Sequence, residues 1–144
     1  MRDQVRPDGN FIKSWGSNGK GPGEFDLPHS LVFDAQGLLY IADRKNERIQ
    51  VFDADGNYVS ESQHPGAPCG LFMGDDQHIW LAAGHTGQIM KLDLKGTVVG
   101  MISGAGQGKT LGKYGEAHYI AVSPRDEIFV ADTLNWRIQK YVRE

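Results

Sequence analysis

The chain of 144 residues has one cysteine, Cys69, and no apolar run long enough to cross a bilayer. A single cysteine excludes a disulfide within the chain and leaves the redox compartment open. The N-terminal stretch MRDQVRPDGN has no apolar segment after its first charges, so no signal peptide is visible. We therefore expect a soluble protein that does not enter the membrane, and the sequence does not indicate its cellular location.

Basic residues are few and dispersed along the chain. The 15 lysines and arginines stand against 18 aspartates and glutamates, which gives a formal net charge of -3. No basic stripe or tail is present, and this argues against nucleic acid as a partner. Gly-x-Ser-x-Gly, His-Glu-x-x-His and paired Cys-x-x-Cys motifs are also absent, so a hydrolase triad or a zinc finger has no support.

The glycine-rich stretch SGAGQGKT, residues 103–110, looks like a phosphate-binding loop but departs from it in two ways. The first glycine of the motif should be residue 103, which is serine. The residues that follow, LGKYGEAHYIAVS, favour extended structure, so no helix N-terminus is available for a phosphate. An alignment of Gly9 with Gly96 matches residues 103–108 to residues 16–21, and we interpret both as connections between blades.

The chain does contain an internal repeat of three units. Residues 27–53, 67–93 and 116–142 superpose without a gap, with unit starts 40 and 49 residues apart. Each unit has two extended apolar runs around a polar turn, then a longer turn and a third run. In the first two units an Asp-Gly or Lys-Gly turn precedes a fourth, β-branched run. The pattern predicts an all-β protein of propeller blades, each with four antiparallel strands.

The blades are out of phase with the chain by one strand. The third unit has no fourth run, whereas residues 8–15 match a fourth strand before any first strand of their own. We expect a single half-propeller domain over residues 1–144, with inner strands starting near 27, 67 and 116. Two copies would form a six-bladed homodimer in which residues 8–15 of each complete the last blade of the other. The alternative is a fragment of a longer reading frame.

The stretch from Trp15 to Val59 resembles the NHL-repeat family of six-bladed propellers, and more narrowly the second half of the peptidyl-α-hydroxyglycine α-amidating lyases. The segments that carry the resemblance are LPHSL at 27–31, ADRKNERIQ at 42–50 and EAHYI at 116–120. The likeness extends over about residues 9–142. It implies a six-bladed ring with a catalytic zinc held by histidines in the central channel.

The lyase resemblance also implies roles for particular residues. His29 and His118 fall on zinc-ligand positions, and Arg44 falls on an arginine that assists cleavage of the hydroxyglycine C–N bond. The stretch CGLFMG lacks the tyrosine expected there. Tyr119 occupies the position of an aspartate associated with a structural calcium, so calcium is a second implied cofactor whose ligand is replaced.

The repeat by itself places His29, Cys69 and His118 at one equivalent position on the inner strand, which faces the channel of a propeller. Histidine and cysteine are good zinc ligands, and three protein ligands with an open fourth position are typical of catalytic zinc. In the expected ring, His29 and His118 would be joined by the Cys69 of the other copy, or four histidines would meet. The alternative is a set of ordinary polar channel residues around water.

Two functions remain open after these observations. One is a scaffold without chemistry that binds a small molecule, a peptide or a protein, and this is the function that we expect. The other is a metal-dependent lyase that cleaves peptidyl-α-hydroxyglycine to a peptide amide and glyoxylate, with Arg44 binding a carboxylate. The triplet of Asp43, Asn46 and Arg48, repeated 89 residues later, is assigned to turn structure instead of function.

Overall fold

The computed structural model describes residues 9–102 and 105–143, and its three blades are antiparallel sheets. Blade 1 comprises β1 (Pro28–Phe33), β2 (Leu39–Asp43), β3 (Arg48–Phe52) and β4 (Tyr58–Gln63). Blade 2 comprises β5 (Pro68–Met73), β6 (Ile79–Ala83), β7 (Ile89–Leu92) and β8 (Val98–Met101). Blade 3 comprises β11 (Ala117–Val122), β12 (Ile128–Asp132) and β13 (Arg137–Tyr141). The predicted all-β blade architecture is confirmed.

Strand order within each blade follows the chain order, so that every neighbour is joined by a short turn. In blade 1 the carboxylate of Asp34 accepts hydrogen bonds from the amides of Gln36 and Leu38, both at 2.9 Å. Ser123 holds the corresponding turn of blade 3 through its hydroxyl. Such side-chain caps satisfy turn amides that no strand can pair, and they explain why polar residues punctuate the apolar runs.

The three sheets stack face to face, with blade 2 in the middle. One core cluster joins blades 1 and 2 and includes Tyr40, Ile49, Leu81 and Leu92. A second cluster joins blades 2 and 3. Because successive strand residues point to opposite faces, Leu39, Ile41 and Phe52 lie on the other face of blade 1, away from blade 2. The apolar positions of each repeat therefore supply two faces of one blade.

The segment that enters blade 3 contains two short strands, β9 (Gly106–Gln107) and β10 (Lys113–Tyr114). Residues 103 and 104 of the stretch SGAGQGKT lie outside the described residues. Asn135 donates to the carbonyl of Gly108 at 3.0 Å, and Arg137 donates to the carbonyl of Thr110 at 3.0 Å. Carbonyl oxygens of this loop thus face cationic or amide donors of the protein itself. This arrangement supports a structural connector, in agreement with the interpretation of the sequence.

Four polar residues at equivalent positions anchor the connectors into blades 1 and 3. We call each group a corner set: Asp43, Asn46, Arg48 and Gln50 in blade 1, and Asp132, Asn135, Arg137 and Gln139 in blade 3. Asn46 bonds the carbonyl of Gly19 as Asn135 bonds that of Gly108. The connectors therefore match with a spacing of 89 residues, two more than the alignment of Gly9 with Gly96 gives.

Residues 9–15 lie outside any strand, and residue 8 of the predicted N-terminal strand lies outside the described residues. Trp15 packs against Phe52, with ring centroids 6.2 Å apart, and Lys13 bonds the carbonyl of Asp55. Phe11 and Ile12 are exposed. Among the described residues, no helix combines the length and apolar character needed to cross a membrane.

Candidate functional site

The candidate site lies where the first strands of the three blades begin. In each blade the first strand is interrupted by a bulge after its first residue: the register skips from Pro28 to Ser30, from Pro68 to Gly70, and from Ala117 to Tyr119. The skipped residues are His29, Cys69 and His118. The three residues that the repeat predicts to be equivalent are therefore equivalent in the fold, and a bulge re-aims each side chain out of the regular pleat.

The two histidines meet above the middle blade. Their ring centroids are 4.4 Å apart, with the rings nearly perpendicular. Gly70 makes this approach possible, because a Cβ atom at this residue would lie 2.7 Å from the carbonyl oxygen of His118. The small side chains of blade 2 at this point let residues 89 positions apart in the chain come together.

Hydrogen bonding distinguishes the two imidazoles. His29 Nδ1 lies 3.3 Å from the carbonyl oxygen of Cys69, which can only accept, so the bond requires a proton on Nδ1; in the neutral ring the lone pair is then on Nε2. His118 Nδ1 is buried and has no hydrogen-bond partner among the described residues. A buried nitrogen without a partner is costly, which makes this atom a natural acceptor for a water, a ligand or a metal.

An ion pair crosses the same region from blade 1 to blade 3. Arg44 Nη2 donates to Glu116 Oε1 at 2.6 Å, and both side chains are largely buried. His118 Nε2 lies 3.8 Å from the same carboxylate oxygen, close enough for a charge effect but too far for a hydrogen bond. Glu116 thus brings the predicted site residue Arg44 close to His118, which in turn contacts His29.

Glu116 is the site residue that sequence reasoning missed. Its counterparts in the repeat are Leu27 and Ala67, so it is the one charged residue at that position. Arg44 is likewise the one charged residue at its own position, where the other blades have Gly84 and Thr133. Two unmatched charges of opposite sign are a signal that a comparison of the repeat units contains.

The middle blade leaves space for this ion pair. A Cβ atom at Gly84 would lie 2.6 Å from Cys69 Sγ and 3.4 Å from Glu116 Cγ. Cys69 itself is fully buried beneath Gly84, and burial raises the pKa of its thiol, an effect that the neighbouring Arg44 partly offsets. The thiol is therefore mainly protonated at neutral pH, the form that is poor at binding metal.

Burial also sets the charge of His118. Loss of water around the ring lowers its pKa, the positive charge that His29 can carry lowers it further, and Glu116 opposes both effects. His118 is consequently neutral at pH 7 and able to act as an acceptor or ligand. Tyr119 stands beside it, with ring centroids 4.6 Å apart, and presents an exposed phenol ring.

The fit to zinc is partial. Imidazole nitrogens are suitable zinc ligands, and the unpartnered His118 nitrogen agrees with such a role. Across residues 9–102 and 105–143, however, no three His, Cys, Asp or Glu side chains are grouped as metal ligands. Cys69 shares the repeat position but is not brought into a three-ligand set with His29 and His118. Calcium, implied by the lyase resemblance, stays a prediction.

Comparisons with known proteins agree on the architecture. Residues 6–88, more than half of the chain, match the 6-bladed beta-propeller family. Peptidyl-glycine alpha-amidating monooxygenase A of Xenopus laevis is 48% identical over 67 residues, which cover 42% of this chain and 7% of that protein. NHL repeat-containing protein 3 of Homo sapiens is 50% identical over 48 residues, covering 32% of this chain and 14% of that protein.

Among solved structures, virginiamycin B lyase from Staphylococcus aureus is similar with a TM-score of 0.65 and 17% identity. The match covers 97% of this chain and 47% of that one. At this identity the likeness shows the fold alone. The chain spans less than half of this structure and a small part of the two curated relatives.

Proposed function

This chain belongs to the six-bladed β-propellers and is related to NHL-repeat and amidating proteins, and from that premise we propose that it is a ligand-binding scaffold. Its ligand is a small molecule or peptide end that carries a carboxylate. The observation that carries the proposal is the arrangement of Arg44, His29 and His118 around one bulged corner, with Glu116 holding the guanidinium in place.

The chemistry of these groups selects an anion with an adjacent polar atom. The planar guanidinium of Arg44 has several N–H donors, and the contact with Glu116 is made by one nitrogen, Nη2. A ligand carboxylate can share the guanidinium with Glu116 or displace it. The neutral imidazole of His118 supplies a buried nitrogen that a ligand hydroxyl or amide N–H can satisfy.

Calorimetric titration tests this binding. We expect N-benzoylglycine to bind and N-benzoylglycinamide, which lacks the carboxylate, to bind roughly tenfold more weakly or not at all. Arg44→Gln should remove the difference between the two compounds. Lys45→Gln, which changes the neighbouring, exposed cation, is the matched control and should leave it intact. Equal affinity for both compounds in the unaltered protein would refute the proposed carboxylate site.

A metal-dependent lyase is the second candidate function, and the unpartnered nitrogen of His118 beside His29 favours it. When bound, zinc would supply Lewis-acid polarisation of a substrate oxygen. Arg44 would hold the carboxylate of a peptidyl-α-hydroxyglycine. Glyoxylate release from N-benzoyl-α-hydroxyglycine in the presence of zinc, lost in His118→Ala, would support this function. Binding of the compound without turnover would leave the scaffold.

A further inference from the structure

The two outer faces of the three-blade stack expose apolar side chains. Leu31, Leu71 and Ile120 occupy the same repeat position and point towards the preceding blade. Leu71 and Ile120 have a blade in front of them and are each 7% exposed, whereas Leu31 is 61% exposed. The side chain of Phe33, two residues along the same strand, is also exposed. In the other two blades this position is buried, and among the described residues no blade covers it in blade 1.

The opposite end of the stack shows the matching feature. Ile49, Ile89 and Ile138 share a repeat position that points towards the following blade. Ile89 is completely buried against blade 3, whereas Ile138 of blade 3 is 66% exposed. Tyr119 on the same face is exposed as well. Blade 3 therefore presents the face that would cover blade 1 of another propeller half.

Blade 3 also presents an open strand edge. Within the part of the chain that the structure describes, its outermost strand is β13, paired with β12 on one side only. Beside this edge a groove of about 920 Å³ separates blades 2 and 3, with Trp80, Met101 and Tyr141 among its walls. The corresponding space between blades 1 and 2 is about 20 Å³ and is lined by the turn residues 94–96. A further strand can pair with an exposed edge of this kind, and its side chains can occupy the adjoining groove.

The segment 9–15 is already placed like a fourth strand. A Cβ atom at Gly96 would lie 2.3 Å from Ser62 of the preceding blade's fourth strand. A Cβ atom at Gly56 would lie 2.8 Å from the ring of Trp15. Gly56 is the repeat equivalent of Gly96, and Trp15 is the equivalent of Ser62, so one contact repeats the other. Residues 9–15 thus lie beside blade 1 where the preceding blade's outer strand belongs.

We propose that residues 9–15 of one chain pair with the open edge of β13 in a second copy, and that blade 1 of each copy packs on blade 3 of the other. The two junctions are equivalent and related by a two-fold axis. The three described blades of two copies would together form a ring of six, the number in the family to which residues 6–88 match. The proposal does not depend on the proposed ligand.

Within the described residues, the segment 9–15 does not lie where it could pair with β13 of the same chain. Trp15 lies on the face of blade 1 that points away from blade 2, together with Phe52. Blade 2 stands between blade 1 and blade 3. A segment held on the far face of blade 1 is therefore on the wrong side of the stack to reach β13 of the same chain.

The register of the exchanged strand follows from blade 1. There Ile49 pairs with Ser62, Val51 with Ser60, and Phe52 with Tyr58. By repeat equivalence, Ile138 would pair with Trp15, Lys140 with Lys13, and Tyr141 with Phe11. Two aromatic or apolar pairs favour the junction, whereas two lysines directly opposite oppose it. Lys140 is already paired with Glu127 at 2.6 Å, which moderates this repulsion.

Sedimentation velocity and native mass spectrometry over a wide range of protein concentration test the exchange. We expect a dimer whose dissociation constant rises by roughly tenfold or more in Phe11→Asp. Phe11 is exposed in a segment without strand pairing, so this variant retains its fold. Ile138→Asp should act in the same direction, and Leu111→Asp, at an exposed connector residue, is the matched control. A monomer at every concentration, or a dimer that Phe11→Asp leaves unchanged, overturns the proposal.

A charge reversal tests the register separately. Lys13→Glu replaces the opposed lysines with an ion pair, and we expect the dimer to tighten several-fold, most at low salt. Lys13→Met, which loses the same bond to the carbonyl of Asp55 without adding a negative charge, is the control against which the dimer of Lys13→Glu is measured. A weaker dimer in Lys13→Glu would show that the segment does not take this register and would overturn the pairing described above.

Discussion

Blades 1 and 3 hold the connectors that enter them with charged corner sets, whereas blade 2 holds its connector without one. The connector into blade 2 is only residues 64–67, tied by backbone bonds such as Gly84 N to the carbonyl of Ala67 at 2.8 Å. At the corner-set positions blade 2 has the residues Ala83, Thr86, Gln88 and Met90. The corner set is therefore present where the connector is long, and its role is to hold the connector in place and not to stabilise the sheet itself.

The two corner sets share most of their bonds, although Arg48 also donates to Glu61 and to the carbonyl of Lys20. Arg48 bonds Asp43 at 2.9 Å and the carbonyl of Glu24 at 2.8 Å, and Arg137 bonds Asp132 and Lys113 at the same distances. They differ in their environment, because the Arg48 side chain is buried and a quarter of the Arg137 side chain is exposed. Blade 1 therefore contains the more costly charge to leave without a partner.

The largest effect is expected when the buried corner is broken. Asp43→Ala removes the fully buried carboxylate that pairs with Arg48 and leaves the partly exposed Glu61 as the remaining ionic partner, so it should lower the free energy of unfolding by about 3 kcal/mol. Urea unfolding followed by tryptophan fluorescence measures the loss. Asp55→Ala, in an exposed turn of the same blade, should change stability by less than about 0.5 kcal/mol. A loss below about 1 kcal/mol in Asp43→Ala would show that Glu61 and the carbonyl contacts of Arg48 suffice to hold the guanidinium.

A smaller, pH-dependent effect is expected in blade 3. Burial raises the pKa of Asp132, but hydrogen bonds from Asn135, Arg137 and two backbone amides outweigh it, and the resulting pKa lies below the ordinary value of 3.8. The carboxylate therefore stabilises the fold above this value, and its contribution is lost as the pH falls through the lowered pKa. Asp132→Asn should cost about 1 to 2 kcal/mol at neutral pH.

Urea unfolding of Asp132→Asn at several pH values separates the effect of the charge from an effect on packing. The difference in unfolding free energy between the unaltered chain and Asp132→Asn should shrink as the pH falls below about 4. A difference that stays constant with pH would mean that the asparagine disturbs packing and that charge at this corner contributes little.

The smallest effect is expected at blade 2. Gln88 is the repeat equivalent of Arg48 and Arg137, and its recorded side-chain contact is a weak one to Met101 at 4.0 Å. Gln88→Ala should change the free energy of unfolding by less than about 0.5 kcal/mol, whereas Arg137→Ala should cost about 1 to 2 kcal/mol. Thermal or urea unfolding of the two variants side by side measures the contrast. Equal losses would contradict a role tied to the connectors.

Much of this architecture could be predicted because the repeat is legible. The inner strands begin at Pro28, Pro68 and Ala117, within one residue of the expected starts, and His29, Cys69 and His118 are equivalent as predicted. The bulge that re-aims these three side chains could not be predicted, because a single extra residue leaves the apolar alternation of a short strand almost unchanged.

The blades, their strands and the equivalent residues can be read from the amino-acid sequence, because alternation with a period of two and a repeated turn chemistry are local properties. Which of these residues are in contact depends on the tertiary structure. Arg44 meets Glu116 across 72 positions, and His29 meets His118 over Gly70. Such contacts depend on the angle between blades and on the space left by small residues of the middle blade. Both are set by packing between sheets that no local pattern encodes.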